Sequence, residues 1–397
     1  MSKKKIALVN VFFHPQSIGG ATRVLEDNFN VLVDKYGEDF ELVVFTSDVE
    51  MQDKPHTLDS YMYKGIRVYR SSIIFREKMD WHPKDEEMKI LFEKFLNFEK
   101  PDYVHYHCVQ RLSASVVEAS LEKKVPYFIT LHDAWWISDF QFLVDPNGKV
   151  YPNGHIDPFE DVVLPNNVTL DESIKRKIYL KKLLRGAKKI FSVSQSFKEL
   201  YEKNDIQNIV VTQNGISNSV EWKEKDTSYS EKVVCGHIGG MSEHKGYDIL
   251  KTAVLNTQAK NLEFLVIDHS KDDGYTSKEM WGDVPVTFKG RVKQDGVVEL
   301  YRQIDVLFAP SIWPESFGLV TREAVRCGCW VATSNLGGIG EDITKESGFV
   351  IEPTVVELEK VLKTIDARKT RYKSIVKDSR TRLADEQVKE LVGYYGE

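Results

Sequence analysis

Short runs of β-branched and aromatic residues alternate with longer helical patterns along this chain, and the alternation runs twice. Ile6–Phe13 reads as a strand. Ala21–Tyr36 reads as a helix with Val24, Leu25, Phe29, Leu32 and Val33 on one face. Phe40–Thr46, Tyr103–Tyr106, Tyr127–Leu131, Ile190–Val193 and Ile209–Val211 continue the first series. A second series opens at Lys232–Ile238 and goes on through Leu262–Ile267, Val286–Lys289, Val306–Ala309 and Trp330–Thr333. Strands alternating with helices predict βαβ units and parallel sheets. The 397 residues are too many for one ordinary core and suit two. Few apolar residues lie between the series, so the linker is placed at 214–230. The expected domains are 1–213 and 231–371. A charged helical segment at 372–397 is expected to pack back on the first domain.

Composition narrows the function. The formal net charge is −6, which leaves no electrostatic footprint for nucleic acid. Cys108, Cys235, Cys327 and Cys329 are the only cysteines, too few for a disulfide framework and wrongly spaced for zinc. They read as reduced, small apolar residues. The first apolar run contains Asn10, is too short for a membrane span and precedes no small-residue cleavage site. A cytoplasmic protein is expected.

In open α/β sheets, ligands bind outside the carboxyl ends of the strands, so the chemistry is expected on loops after strands. The segment Ser311–Ala324 follows the strand Val306–Ala309. Pro314 and Glu315 read as a helix start, and Glu323 comes eight residues later, roughly 12 Å along a helix. A nucleotide-sugar has hydroxyl-rich groups at two ends and a diphosphate between. Two carboxylates so spaced suit the ends, and free N–H groups at Phe317, Gly318 and Leu319 suit the diphosphate. The same pattern also describes a capped amphipathic helix with Glu323 in solvent. Gly19–Gly20 opens the first helix, as an anion-binding turn or a plain one. Gly239–Gly240 follows the first strand of the second half and leads to Lys245. That turn is not a Walker A loop, because the Gly-Lys-Ser/Thr order is absent.

These segments together resemble the retaining glycosyltransferases of family 4, which have the GT-B fold: two Rossmann-like α/β domains whose open parallel sheets face a central cleft. The matches fall in the family's order and span nearly the whole chain. The resemblance implies that Glu315 contacts donor sugar hydroxyls and Glu323 ribose hydroxyls, with Ser316, Phe317, Gly318 and Leu319 between them. It implies that Lys245 sits on the donor diphosphate, and that Gly19, Gly20, Gly239 and Gly240 line the donor site. His132 is implied near the transferred sugar. On the acceptor side stand Arg23, His107, Asp133 and Trp135, although Asp133 equally suits a turn cap. One departure stands out: the family usually has Arg where this chain has Gly240. Arg291 or Arg23 is expected to supply that charge. Gly337–Gly338 resembles a late glycine pair of the family and equally suits a loop turn.

The resemblance further implies transfer of a hexose-type sugar from a UDP- or GDP-linked donor to a glycan or lipid-linked glycan, in bacterial cell-surface polysaccharide synthesis. No cofactor and no metal are expected; Asp272–Asp273–Gly274 reads as a solvated turn. The aromatic stretch Ala134–His155 suits either sugar stacking or a cluster beneath its own loop. The basic residues from Lys175 to Lys189 mark either a solvated helix or one lying on anionic lipid at the inner membrane. A nucleotide-sugar epimerase of the same fold, or a non-catalytic sugar-nucleotide-binding partner, is the alternative. Gly240 favours the non-catalytic one.

Overall fold

The computed structural model describes residues 3–16, 18–48, 55–73, 75–154, 163–220, 230–293, 296–376 and 381–396. The chain divides into two compact units, 1–215 with 383–397, and 216–382.

The first unit holds strands β1 (Lys4–Val9), β2 (Phe40–Asp48), β3 (Leu58–Tyr63), β4 (Ile66–Ser72), β5 (Tyr103–Tyr106), β6 (Tyr127–Leu131), β7 (Lys189–Ser192) and β8 (Ile209–Val211). They form one sheet in the order β3-β4-β2-β1-β5-β6-β7-β8. Its helices are α1 (Gly20–Tyr36), α2 (Glu86–Glu99), α3 (Ser115–Lys123), α4 (Leu170–Arg185), α5 (Gln195–Lys203) and, after the second unit, a C-terminal helix at Ala384–Gly396. The central strands are buried on both faces, as parallel strands covered by crossover helices must be. Every pairing is parallel except that of β3 with β4. Those two strands are joined by a tight turn at Lys64–Gly65, both with φ above zero, which is the two-residue hairpin geometry. Strand order reverses between β1 and β5, so ligand-binding loops are expected after them.

The second unit holds β9 (Val233–His237), β10 (Leu262–Ile267), β11 (Thr276–Trp281), β12 (Val284–Lys289), β13 (Val306–Ala309), β14 (Trp330–Ser334) and β15 (Gly348–Ile351). Their order is β11-β12-β10-β9-β13-β14-β15. Again one hairpin, β11 with β12, is antiparallel in an otherwise parallel sheet. The helices are α6 (Tyr247–Thr257), α7 (Val297–Arg302), α8 (Leu319–Arg326), α9 (Val355–Ala367) and α10 (Lys369–Tyr372), so the C-terminal helix is α11. Here the order reverses between β9 and β13. The sheets therefore differ from the expectation of purely parallel ones by one antiparallel edge strand each.

The ends of the second unit also differ from the sequence reading. Ile216 and Val220, inside the expected linker, are buried, because they are its few apolar residues; 221–229 lie outside the described residues. The expected C-terminal helix from Tyr372 begins at Ala384. Tyr372 instead ends α10, its ring edge-on to Trp330 at 5.3 Å. Helix α11 buries Ala384, Val388, Leu391 and Tyr395 in a cluster with Ile6, Leu8, Leu25, Phe29 and Phe128. Gln387 accepts from the Gly215 N–H at 2.8 Å, which pins the place where the first pass of the chain leaves this unit. Leu391→Ala is expected to destabilise the first unit by about 3 kcal/mol, read as a lowered urea midpoint. An unchanged midpoint would show that α11 contributes nothing to that core.

Candidate functional site

In the first unit, the carboxyl ends of β5 and β6 carry His107 and His132. His107 Nδ1 and His132 Nε2 are 2.9 Å apart, with the rings stacked at 5.1 Å. One nitrogen donates and the other accepts, so the contact couples the two tautomers. Behind them, His105 in β5 contacts Tyr395 Oη at 2.5 Å and Thr130 Oγ1 at 2.8 Å. Burial pushes His105 down to about 3 and His132 to about 4, and holds His107 well below its usual range. At neutral pH all three are uncharged hydrogen-bonding groups. Gly19 and Gly20 stand where expected, at the start of α1, which has no side-chain cap. Arg23 lies in the first turn of that helix.

The remaining acceptor-side candidates, Asp133 and Trp135, are held by contacts within the unit. Asp133 accepts from Gln110 Nε2 (3.0 Å), Gln141 Nε2 (2.7 Å) and the Trp135 N–H (2.9 Å). It caps its own turn, and burial raises its pKa against those bonds. Trp135 is 2% exposed, donates its indole N–H to the Asp80 carbonyl and lies under the Arg176 guanidinium at 4.9 Å. No face of that ring is open to a sugar. Trp136, Phe140 and Tyr151 are buried with it, so the aromatic stretch is a core cluster. Only Phe142 of its large rings is exposed, and His155 lies outside the described residues. Arg176 itself is not part of a basic surface. It donates to the carbonyls of Trp81, Trp135 and Ser138 and ties α4 to this loop.

In the second unit, the loops after β9 and β13 meet. Lys245 donates to Glu315 Oε1 at 2.9 Å, and its ammonium lies 5.1 Å from the Trp313 ring centre. The Ser311 hydroxyl donates to the same carboxylate oxygen. The Ile312 N–H donates to the His244 carbonyl at 3.0 Å, which knits the loops together. The carbonyl of Glu315 accepts from the Gly338 N–H at 2.7 Å, and its backbone bridges Gly337. The late glycine pair thus lies against Glu315.

The helix does not start at Glu315, as the sequence reading had it, but at Leu319. Gly318, the residue before it, has φ 84°, and no side chain caps this N-terminus. A Cβ on Gly318 would stand 2.5 Å from Ile339, so only glycine fits the approach of the two loops. The two glutamates are therefore not on one helix, and the 12 Å spacing along a helix does not apply. Glu323 is 1% exposed and accepts from Tyr301 Oη at 3.0 Å. It is a buried carboxylate, not a solvated one. Phe317 is buried and Ser316 partly so.

Arg322 was not anticipated as a site residue. Its buried guanidinium donates to the carbonyls of Phe317, Gly318, Gly338 and Ile339 and to Asp342, and lies 4.0 Å from the Phe317 ring centre. Only the meeting of two loops reveals it, since an Arg on a short helix reads as solvated.

The missing arginine at position 240 has a local explanation. Gly240 has φ 94°, and a Cβ there would stand 3.1 Å from Cδ2 of His269. Any side chain there is strained. His269, overlooked in the sequence, fills the adjacent space and reaches the Ile238 carbonyl at 3.1 Å. Arg291 pairs with exposed Asp272 at 2.6 Å and is itself 60% exposed; its contacts are with that loop and not with Lys245 or Glu315. Among the described residues, no group of three His, Cys, Asp or Glu side chains comes together to hold a metal.

Comparison with known proteins shows the family. Residues 18–219 match the model described as Glycosyltransferase Family 4, and residues 218–381 the model for glycosyl transferases group 1. The chain is a family 4 glycosyltransferase. The transferase is 26% identical over 357 residues to a protein in the cps region of Klebsiella pneumoniae, covering 85% of this chain and 86% of that one. A 68-residue stretch, 17% of this chain and 15% of the relative, is 40% identical to a D-inositol 3-phosphate glycosyltransferase of Rhodococcus jostii. Among solved structures, sucrose-phosphate synthase of Thermosynechococcus elongatus matches with a TM-score of 0.71 at 16% identity, covering 99% and 98% of the two chains. HepE of Anabaena, solved with UDP and glucose, matches at 0.67 and 16%, covering 99% of each. These neighbours carry the GT-B fold.

The buried histidines make the transferase sensitive to acid. Their folded pKa values lie below the ordinary 6.5, so the unfolded chain binds protons that the folded one refuses. The stability they contribute is present above about pH 6.5 and is lost as pH falls toward 4, by up to ~1.4 kcal/mol per pH unit for each. Chemical denaturation at pH 7, 6 and 5 measures that slope. It is expected to be shallower in His107→Gln, and an equal slope would remove His107 from the account.

Proposed function

We propose that the transferase moves a hexose-type sugar from a UDP- or GDP-linked donor to a glycan or lipid-linked glycan acceptor, with retention and without metal, in cell-surface polysaccharide assembly. The observation that carries this reading is the meeting of Lys245, Glu315 and the uncapped start of α8 at the strand-order reversal of the second unit. An ammonium and free N–H groups suit a diphosphate; carboxylates suit sugar and ribose hydroxyls. HepE, solved with UDP-glucose as well, and the cps-region relative support the donor and the pathway class.

In the proposed step the anomeric C–O bond to the diphosphate breaks and the acceptor oxygen bonds to that carbon from the same face. The acceptor proton passes to the leaving phosphate oxygen. Lys245 and the α8 N–H groups stabilise the charge that develops there. Glu315 and Glu323 hold the sugar and the ribose. The acceptor is assigned to the first unit, where His132 is neutral and oriented by His107.

Thermal shift with UDP, GDP and their sugar conjugates, in chelator, tests the reading. A ligand at 100 times its dissociation constant adds about 2.7 kcal/mol. Stabilisation by one base is expected, and its loss in Lys245→Ala. Turnover is expected to survive EDTA and to release nucleoside diphosphate only with acceptor present. Dependence on added Mn²⁺, or release without acceptor, would overturn it.

Peripheral contact with a lipid surface belongs to the same proposal. Helix α4 buries Leu180, Leu183 and Leu184 but exposes Leu170, Ile174 and Ile178, the last at 66%. Lys182 and Arg185 are exposed on the same helix, while Lys175, Lys177 and Lys181 are paired with Asp171, Asp139 and Asp205. No helix among the described residues is long and apolar enough to cross a membrane. Cosedimentation with anionic vesicles is expected, roughly a hundredfold weaker in Ile174→Ser/Ile178→Ser, since burying two side chains of this size contributes about 3 kcal/mol. Equal binding by the variant would sink the contact.

A further inference from the structure

We propose that Glu315 acts as an internal competitor for Lys245, making the transferase prefer a sugar-bearing donor over the spent nucleotide and helping to expel the latter. The inference rests on the donor site proposed for Lys245 and Glu315.

Without ligand, the strongest local partner of Lys245 is a carboxylate of its own chain. The pair is 2.9 Å apart, with side chains 24% and 11% exposed, so water screens it only partly. The Ser311 hydroxyl holds the same oxygen in place, and the Trp313 ring lies beside the ammonium. A phosphate oxygen that reaches Lys245 meets this carboxylate at the same cation, and two anions there repel each other. A bound diphosphate therefore weakens the hold of Glu315 on Lys245.

The fate of the loosened carboxylate depends on the ligand. A donor still carrying its sugar offers hydroxyl groups to it, and Glu315 exchanges a cation for charge-assisted hydrogen bonds. A spent nucleoside diphosphate offers none. Glu315 is then a largely buried charge without its partner, which is costly. It returns to Lys245 and drives the nucleotide off. The same side chain that holds the sugar thereby penalises the product, a form of specificity built on repulsion as well as attraction.

Calorimetric titration of wild type and Glu315→Gln with UDP, UDP-glucose, GDP, GDP-mannose and inorganic pyrophosphate decides this. For the nucleotide that wild type binds, the variant is expected to hold the free diphosphate about fivefold tighter, the scale of a partly screened ion pair. It is expected to hold the sugar conjugate more weakly, so the two affinities change in opposite directions. A side chain that merely maintained the fold would weaken both. Ser311→Ala, which only loosens the carboxylate, is expected to give the same pair of opposed changes at about twofold and serves if Glu315→Gln does not fold. Wild type that binds both ligands, with no gain for the free diphosphate in either folded variant, overturns the competition alone. Wild type that binds none of the five removes the donor reading and the competition with it.

Discussion

The second unit is organised around one buried guanidinium. Loops after β13 and β14 end in carbonyl groups that face each other and not a regular partner. Arg322 supplies donors to four of them and stacks on Phe317. Thr321 Oγ1 also donates to Gly318 and Ile339, and the Glu341 N–H to Gly338, so Arg322 joins a shared network in which a buried carbonyl left unmet costs roughly 1–3 kcal/mol. Burial draws the guanidinium pKa down while Asp342 raises it. The position of Glu315 depends on this junction, because its backbone is hydrogen-bonded to Gly338, on the loop Arg322 holds. So does the open start of α8, because the carbonyls of Phe317 and Gly318 are tied to the same group.

Much of the fold was legible because buried parallel strands are continuous apolar runs. β5, β6, β8, β10 and β13 lie at the residues that periodicity alone marks. The strands that escaped are β3, β4, β11 and β15. They are edge strands or the neighbours of edges; β3, β4 and β11 mix polar with apolar side chains, so that Leu58–Tyr63 reads as no single period, and β15 is only four residues long. Lys64–Gly65 and Gly282–Asp283 carried a hairpin signal of the right type, but the flanking runs were too polar to show as strands. Tyr372 was assigned to the wrong unit because an amphipathic pattern does not say which surface it covers.

The candidate residues of each unit were legible in their position along the chain and illegible in their contacts. Lys245, Glu315, His107 and His132 stand on the loops where the strand order puts ligands. Their pairing depends on loops 70 residues apart for Lys245 and Glu315, and 25 for the histidines, and no local pattern records that. Trp135 belongs to a stretch that suited two readings, a stacking surface or a core cluster. Its indole bond to the Asp80 carbonyl and the Arg176 guanidinium over its ring go with the cluster. Arg176 stood among the basic residues of its helix, and a charge run does not say which of its members is buried.

The two units treat charge differently, and this bears on what each can contribute. The candidates near the strand ends of the first unit are imidazoles that burial keeps neutral, beside an aspartate already satisfied by amide and backbone donors. Such groups orient hydroxyls through hydrogen bonds and add little field. The second unit brings a lysine and a glutamate together on the loops after β9 and β13, and the proposed donor diphosphate would find compensating charge at that lysine. The glycine at 240 removes a side chain from those loops and leaves Lys245 with the Glu315 carboxylate as its ionic partner. In the proposed donor site, whether that lysine faces a carboxylate or a phosphate then decides how the charge of Glu315 is met.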